Sequence, residues 1–351
     1  MEPAPVPAPE VAGIEPAAVG AWLEANVAGA CGPFRYDLIA GGHSNLTYGV
    51  TGHDGVRFVL RRPPLGALLA SAHDMGREHR IIAALAGTPV PVPPALGLCE
   101  DATVTGAPFY VMAWVDGLVL RDRADVDRAL PVAGRERASE SLVDTLAALH
   151  DLDPATVGLG DLGRHDGYIA RQLRRWYSQW NAQKTRELPA VDFVHDRLVG
   201  RIPEQGPASI VHGDYRLDNT MVDGAGNVVA VLDWEICTLG DPLADIALLH
   251  TYWNGPDDAP NAWQGTATTA PGFLGRDALV ERYAAVSGRD LSDIGFYLAF
   301  ASWKLACILE GVYARYLHGA MGRRDPEELR PFAVQVERAA EQAAEFAGRL
   351  P

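Results

Sequence analysis

The sequence predicts an α+β protein of two lobes: a small antiparallel β-sheet carrying one helix, then a larger, mostly helical part that contains a β-hairpin. Three observations predict it. Residues 34–64, FRYDLIAGGHSNLTYGVTGHDGVRFVLRRPP, alternate apolar and polar side chains between turn residues at 41–45 and 53–55, the pattern of three strands. From about 131 onward, segments such as SLVDTLAALHDLD and FYLAFASWKLACILEGVYARYL carry apolar residues three and four apart, the period of helices. The exception is 210–234, where SIVHGD, NTMVD and NVVAVLDW are short β-like runs around the turn DGAGN at 223–227. With 351 residues, 48% hydrophobic, the chain can bury a sizeable core and divide in two.

The elements follow in order. Residues 1–13 read as a disordered Pro/Ala tail, and a helix is expected over 16–28. After the three strands, HDMGREHRIIAALAG predicts a helix near 73–86 that stops at Gly87, with Pro89 beyond it. A strand follows TPVPVPP, and PFYVMAWVDG at 108–117 reads as another that closes on a glycine. These elements make an N-lobe of 14–115 and a C-lobe of 116–351, whose long apolar helix spans 293–317.

Composition removes several functions. A net charge of -15 and a pI near 5.1, without any long run of Lys and Arg, exclude a nucleic-acid partner. No uninterrupted apolar run reaches the length of a membrane span, and the start MEPAPVPAPE has neither a basic nor an apolar leader segment, so no membrane is expected. Cys31, Cys99, Cys237 and Cys307 show no metal-ligand or disulfide spacing, which fits reduced thiols in a cytoplasm. Oligomeric state has no sequence signal.

The chemistry concentrates in HGDYRLDN at 212–219 and LDWE at 232–235. A hairpin centred near Gly226 places Asn219 opposite Asp233 at its open end, with Asp214 on the adjoining loop. An amide oxygen beside a carboxylate suits Mg²⁺, which takes one or two protein carboxylates and fills its octahedron with water and phosphate. The plainer reading is an Asx-rich turn capping its own backbone.

Together with GDPLADIA and LACILEGVYARY, these motifs resemble kinase-fold small-molecule phosphotransferases, the aminoglycoside phosphotransferase and choline kinase group. The nearer likeness is to the kinase-like domain that precedes the dehydrogenase part of some long acyl-CoA dehydrogenases. The resemblance implies a bilobal, protein-kinase-like fold and transfer of phosphate from ATP, with GTP not excluded, to a small-molecule hydroxyl. It implies that Asp214 accepts or orients the acceptor hydroxyl, that Asn219 and Asp233 hold Mg²⁺, and that His212 is structural. Arg216 either reaches the transferring phosphate or forms a surface ion pair.

Strand alternation puts Val59 and Arg61 on one face, toward the nucleotide in this scheme. Protein kinases place lysine there; here Arg61 stands in its place, with Glu78 as the expected partner. Gly42, Ser44 and Asn45 of the turn GGHSN are placed over the phosphates, and backbone groups from Ala113 to Val115 at the adenine edge.

Asp241 and Asp245 sit at the start of a helix, where carboxylates cap backbone and support the catalytic loop, while Glu235 assists a second metal or touches the acceptor. The loop 254–272 reads as a lid. Lys304 and Arg315 share a helix stripe with Ile308 and Gly311, and two cations there either ion-pair locally or favour a hydroxy acid or hydroxyacyl thioester over an amino sugar. A nucleotide-binding pseudokinase and a protein kinase are the alternative classes. No flavin-binding pattern supports a dehydrogenase.

Overall fold

The computed structural model describes residues 11–40, 45–65, 74–258, 265–319 and 325–351. The chain divides into two compact units, one formed by the residues up to Ala86 and by Val92–Val115, the other by Gly87–Pro91 and Asp116–Pro351.

In the smaller unit, β1 (Arg35–Ala40), β2 (Leu46–Thr51) and β3 (Arg57–Arg62) form an antiparallel meander. Adding β4 (Ala95–Cys99) and β5 (Phe109–Ala113) gives a five-stranded sheet in the order β1-β2-β3-β5-β4. The β2–β3 turn closes through the Gly52 N–H on the Val56 carbonyl at 2.9 Å, and Gly55 takes the left-handed φ of 84° that this tight reversal needs.

The pleat gives the two faces of β3 different tasks. Phe58 and Leu60 enter the core with Val19 and Leu23 of α1 (Pro16–Asn26), each apolar side chain of this kind contributing ~1.5–3 kcal/mol when fully buried. Val59 and Arg61 face the other way, toward α2 (Met75–Leu85), whose N-cap Asp74 accepts from the Arg77 N–H at 2.9 Å. Arg62, of the opposite phase to Arg61, is buried and donates to the carbonyls of Gly13, Thr105 and Pro63. That contact corrects the expected tail. Residues 11–13 pack on the sheet, with Ala12 and Gly13 accepting from Tyr48 and Arg62, because a buried guanidinium needs carbonyl acceptors and this stretch supplies one. The unit has two helices where one was expected in the lobe outline.

The larger unit carries α3 (Arg123–Ala129), α4 (Val132–Asp151), α5 (Tyr168–Gln183), α6 (Pro189–Val199), α7 (Leu243–Tyr252), α8 (Arg276–Ser287), α9 (Ile294–Leu317) and α10 (Pro326–Gly348). Helix α9 is at its centre, packed by α5, α6, α7 and α10. By length and composition it passes as a membrane span, although Lys304 and Glu310 interrupt its apolar run, with a mean hydropathy of 1.3 over its best window. That window is 78% buried inside the unit, so its apolarity is that of a core helix.

Two ribbons are set into this helical unit. β6 (Ser209–Val211) pairs with β9 (Thr238–Gly240), and β7 (Thr220–Val222) with β8 (Val228–Val231). The β7–β8 register differs from the expected one. Thr220 faces Val231, and the Asn219 carbonyl accepts from the Leu232 N–H at 2.8 Å, so Asn219 stands opposite Leu232 and not Asp233. The turn is centred on Ala225 and not Gly226, since Val222 faces Val228, and a bulge between Met221 and Val222 recovers one residue of that two-residue difference. The turn itself is held by Asp223, whose Oδ1 accepts from the N–H groups of Ala225 and Asn227.

His250 on α7 is buried, and its Nδ1 has no partner among the described residues. Burial first, then the charge of Arg276, pushes it down to about 4 from 6.5; Asp277, 4.0 Å away but exposed, opposes this weakly. The folded value is depressed, so as pH falls the unfolded chain binds this proton first. Stability from His250 is therefore complete above about 6.5 and is lost as pH falls toward 4, by up to ~3 kcal/mol. Unfolding free energies measured across that range should show the decline, and His250→Gln should flatten it. An unchanged slope in the variant would assign the acid sensitivity to other groups.

Candidate active site

The loop after β6 is built around Asp245, in the first turn of α7. Its carboxylate accepts from the N–H groups of His212, at 2.6 Å, and Gly213, at 2.9 Å, with His150 Nε2 3.4 Å away. Burial alone would raise this carboxyl; the His150 hydrogen bond and charge, with His212 and the Gly213 N–H, outweigh it and hold it below the ordinary carboxylate range. Asp241 is the contrast. It is raised by burial, which the 2.6 Å bond from the Tyr297 hydroxyl and the Leu243 N–H only partly offset.

His212 is fully buried between Tyr215 and Trp234, with Nε2 donating to the Leu232 carbonyl at 2.9 Å and Nδ1 accepting from the Asp214 N–H at 3.3 Å. Both ring nitrogens are engaged, so it joins the loop to the β8 side of the hairpin. Gly213 takes φ 84°, and an added Cβ would meet Ile236 at 3.2 Å.

Asp214 is partly exposed beyond this anchor. The Asn219 amide donates to both its backbone carbonyl, at 2.8 Å, and its Oδ2, at 2.9 Å. The amide nitrogen is thereby occupied, which leaves the Asn219 oxygen as the atom available to a ligand. Asp233 follows Leu232 in the left-handed region at φ 63°, a conformation that costs a non-glycine residue energy and that clusters at functional sites. No group of three or more His, Cys, Asp or Glu side chains suited to a metal occurs among the described residues. A two-oxygen set such as Asn219 and Asp233 is the donor chemistry Mg²⁺ accepts when phosphate and water complete its shell.

Arg216 pairs with Asp218 and stacks over the Tyr252 ring at 4.8 Å. Burial disfavours its charge, but Asp218, Tyr252 and Asp214 together raise it above its ordinary value. Tyr252, at the end of α7, is pushed up by burial and by the charge of Asp214. Sequence reasoning missed this residue because no motif marks it; only the run of α7 back past the loop brings it there. A recess of about 20 Å³, room for a single water, is lined by Arg216, Asp218, Tyr252 and Thr268.

Other predicted positions come out differently. Lys304 does not share open space with Arg315: it is buried and donates to the Gly213 carbonyl at 3.1 Å, while Arg315 is exposed. Eleven residues of helix separate them by ~16 Å along the axis, so a common stripe is not a common neighbourhood. Glu235 is half-buried and Trp234 is buried, its Nε1 on the Val231 carbonyl. Of the expected lid, 259–264 lies outside the described residues, and its flanks are packed: Asn254 bonds Gly265 and Thr268, and Ala267 and Ala270 are buried.

The smaller unit has its own buried carboxylate. Glu78 is 3.0 Å from Arg61 Nε and accepts from Asn45, at 2.8 Å, and the Tyr110 hydroxyl, at 3.1 Å. Asn45 is therefore turned onto Glu78 and is not free to cover a phosphate; Gly42 and Ser44 lie outside the described residues. The Ala113 N–H is committed to the Pro94 carbonyl at 2.8 Å, a correction that leaves Val115, of the expected pair, to offer an amide donor at the end of the strand.

The sequence profile of the phosphotransferase enzyme family matches residues 35–285. The chain belongs to that family. It is thereby placed among the small-molecule kinases. Its sequence is 36% identical over 292 residues to mouse acyl-CoA dehydrogenase family member 10, covering 82% of this chain and 27% of that protein. It is 35% identical over 318 residues to chicken acyl-CoA dehydrogenase family member 11, covering 88% and 40%. This phosphotransferase-family chain thus spans well under half the length of those relatives. A Ralstonia eutropha crystal structure assigned provisionally to the aminoglycoside phosphotransferases matches with a TM-score of 0.80 and 34% identity, over 95% of this chain and 98% of that one. Aminoglycoside phosphotransferase APH(4)-Ia, in ternary complex with AMP-PNP and hygromycin B, shares the fold at a TM-score of 0.62 and 15% identity, over 95% and 99%.

Removing the Asp245 carboxylate strands two buried N–H groups and a buried histidine. Asp245→Ala should cost ~3–5 kcal/mol of unfolding free energy, measured by denaturant titration. A loss below ~1 kcal/mol would mean that water replaces the carboxylate and that the loop does not depend on it.

Proposed function

We propose that this chain transfers the γ-phosphoryl group of ATP to a hydroxyl of a small molecule, with Mg²⁺. The observation that carries the reading is the constrained loop: Asp214 on a backbone fixed by Asp245, with its carboxylate oriented by Asn219. In this reading Asp214 orients the acceptor hydroxyl and takes its proton as the oxygen attacks phosphorus. Asn219 and Asp233 would hold Mg²⁺, which neutralises phosphate charge when bound. Arg216, ion-paired and stacked, would offset charge on the transferring phosphate, and Arg61, paired with Glu78, is the cation that the smaller unit would offer a nucleotide. Fold neighbours solved with AMP-PNP or GDP support a purine nucleotide as donor.

A finer reading concerns the acceptor. Carboxylates beside the loop are already matched, Asp218 by Arg216 and Asp245 by His150 and two N–H groups, so little negative charge remains to attract an amino sugar. An exposed cation does remain. Arg175 on α5 lies 5.5 Å over the Trp176 ring, the same ring that Lys304 Nζ faces at 5.8 Å. An indole flanked by arginine suits an acceptor with an apolar body and a carboxylate or phosphate, as in a hydroxy acid or hydroxyacyl thioester. The acyl-CoA names of the longer relatives support the same direction.

Asp214→Asn should lower kcat by ~10²–10⁴-fold while Mg-ATP affinity holds, and Asp233→Ala should weaken Mg-ATP binding more than Asn219→Ala. Turnover and calorimetry read the two effects separately. Normal turnover by the Asp214 variant removes it from the mechanism, and intact Mg-ATP binding with no turnover of any acceptor by the wild type would favour a nucleotide-binding pseudokinase.

Screening hydroxy acids, hydroxyacyl thioesters, choline-like alcohols and amino sugars for ATP consumption should find turnover among the anionic compounds. Arg175→Ala should then raise the acceptor KM by ~10-fold or more, the loss of one charge-assisted bond, with the ATP KM unchanged. An amino sugar as best acceptor, indifferent to Arg175, would replace this reading with an aminoglycoside-type one.

A further inference from the structure

Lys304 sits mid-helix in α9 and is buried, in a stretch of the helix where Trp303, Leu305, Ala306 and Cys307 are buried as well. An ammonium in such a setting needs compensation, and the structure supplies it from three directions. Its Nζ donates to the Gly213 carbonyl at 3.1 Å, the Trp176 ring lies 5.8 Å away, and the charges of Asp245 and Asp214 favour the protonated form. Burial outweighs them, with Arg175 adding to it, and lowers the lysine from its ordinary value.

Gly213 is therefore held at both ends. Its N–H ends on Asp245 from α7 and its carbonyl on Lys304 from α9. That carbonyl belongs to the same peptide group as the Asp214 N–H, which is tied to His212 Nδ1. Both polar atoms of one planar unit are fixed, so the plane from which the Asp214 side chain departs cannot rotate. Glycine is required at this point by its φ of 84° and by Ile236 against its Cβ position, so an external donor must restrict what the residue itself leaves free.

We propose that Lys304 is a positioning residue for phosphoryl transfer, fixing the Gly213–Asp214 peptide and with it the direction of the Asp214 carboxylate. The proposal rests on the reading of Asp214 as the group that orients the acceptor. It does not require contact between Lys304 and either substrate.

The test compares Lys304→Met, Lys304→Arg, Asp214→Asn and the Lys304→Met/Asp214→Asn double variant in the full chain. Lys304→Met fills the volume without a donor and should lower kcat at least ~10-fold with the Mg-ATP KM within ~2-fold and a cooperative thermal transition retained. Lys304→Arg, which can still donate to the carbonyl, should recover part of the loss. The double variant should be no worse than Asp214→Asn alone, because the lysine acts through that carboxylate. Should methionine prevent folding, Lys304→Gln carries the same comparison.

Wild-type kcat in a folded Met or Gln variant overturns the proposal. So does a loss that multiplies with that of Asp214→Asn, or one that arginine fails to relieve at all. Failure of the Asp214 reading itself would show separately, as normal turnover in Asp214→Asn whatever happens at position 304.

Discussion

Two consecutive backbone N–H groups, of His212 and Gly213, end on the single buried carboxylate of Asp245, and the placement of the loop follows from that contact. The donors belong to a strand end and the acceptor to the first turn of α7, so the bond joins elements 33 residues apart in sequence. A carboxylate this buried persists only with full pairing, which makes the geometry self-selecting: any displacement of the loop leaves either charge or N–H unsatisfied. His150 extends the constraint, since its other ring nitrogen is 2.7 Å from the Tyr283 hydroxyl on α8. Helices α4, α7 and α8 thus meet at the base of the loop.

The smaller unit uses the same device on its own scale. Glu78 gathers Arg61, Asn45 and Tyr110, contributed by β3, the start of β2 and β5. In each unit a nearly inaccessible carboxylate collects donors from separate strands or helices and leaves a second side chain, Arg61 in one and Asp214 in the other, less buried. Charge is placed where it orders neighbours, and the partly exposed group is the one assigned to chemistry in the proposed reaction.

Local pattern made much of this legible. The three-strand meander, α2 with its glycine stop, the long α9 and the loop-plus-hairpin motif all depend on contacts within a few tens of residues, which periodicity and turn chemistry record. Strand phase was enough to separate Arg61 from Arg62, since a pleat admits only two faces. What escaped depends on a third coordinate. A turn centred one residue earlier than expected, only partly offset by the bulge beside Val222, left the hairpin register off by one; a three-residue strand ending in Gly240 left no alternation to detect as β9, and Tyr252 reaches the loop only through the direction of α7. Lys304 and Arg315 fell on one helical stripe, yet only the packing of α9 decides that the first is sealed and the second exposed. Asn45 had a suitable side chain for phosphate, and Glu78 claimed it first.

The electrostatics around Asp214 bear on how a chain of net charge -15 could accept the polyanionic nucleotide proposed for it. Uncompensated carboxylates near the loop would repel phosphate and push one another toward the protonated state. Instead the nearby acids are partnered in place: Asp218 by Arg216, and Asp245 by His150 and two backbone N–H groups, with Lys304 donating to the Gly213 carbonyl. Asp214 receives the Asn219 amide at 2.9 Å and the Tyr252 hydroxyl. Both partners are neutral, so they fix the direction of the side chain without adding a charge beside it. Under the proposed reaction, a cation in place of that amide would hold the side chain as firmly but would compete with the acceptor hydroxyl for the carboxylate.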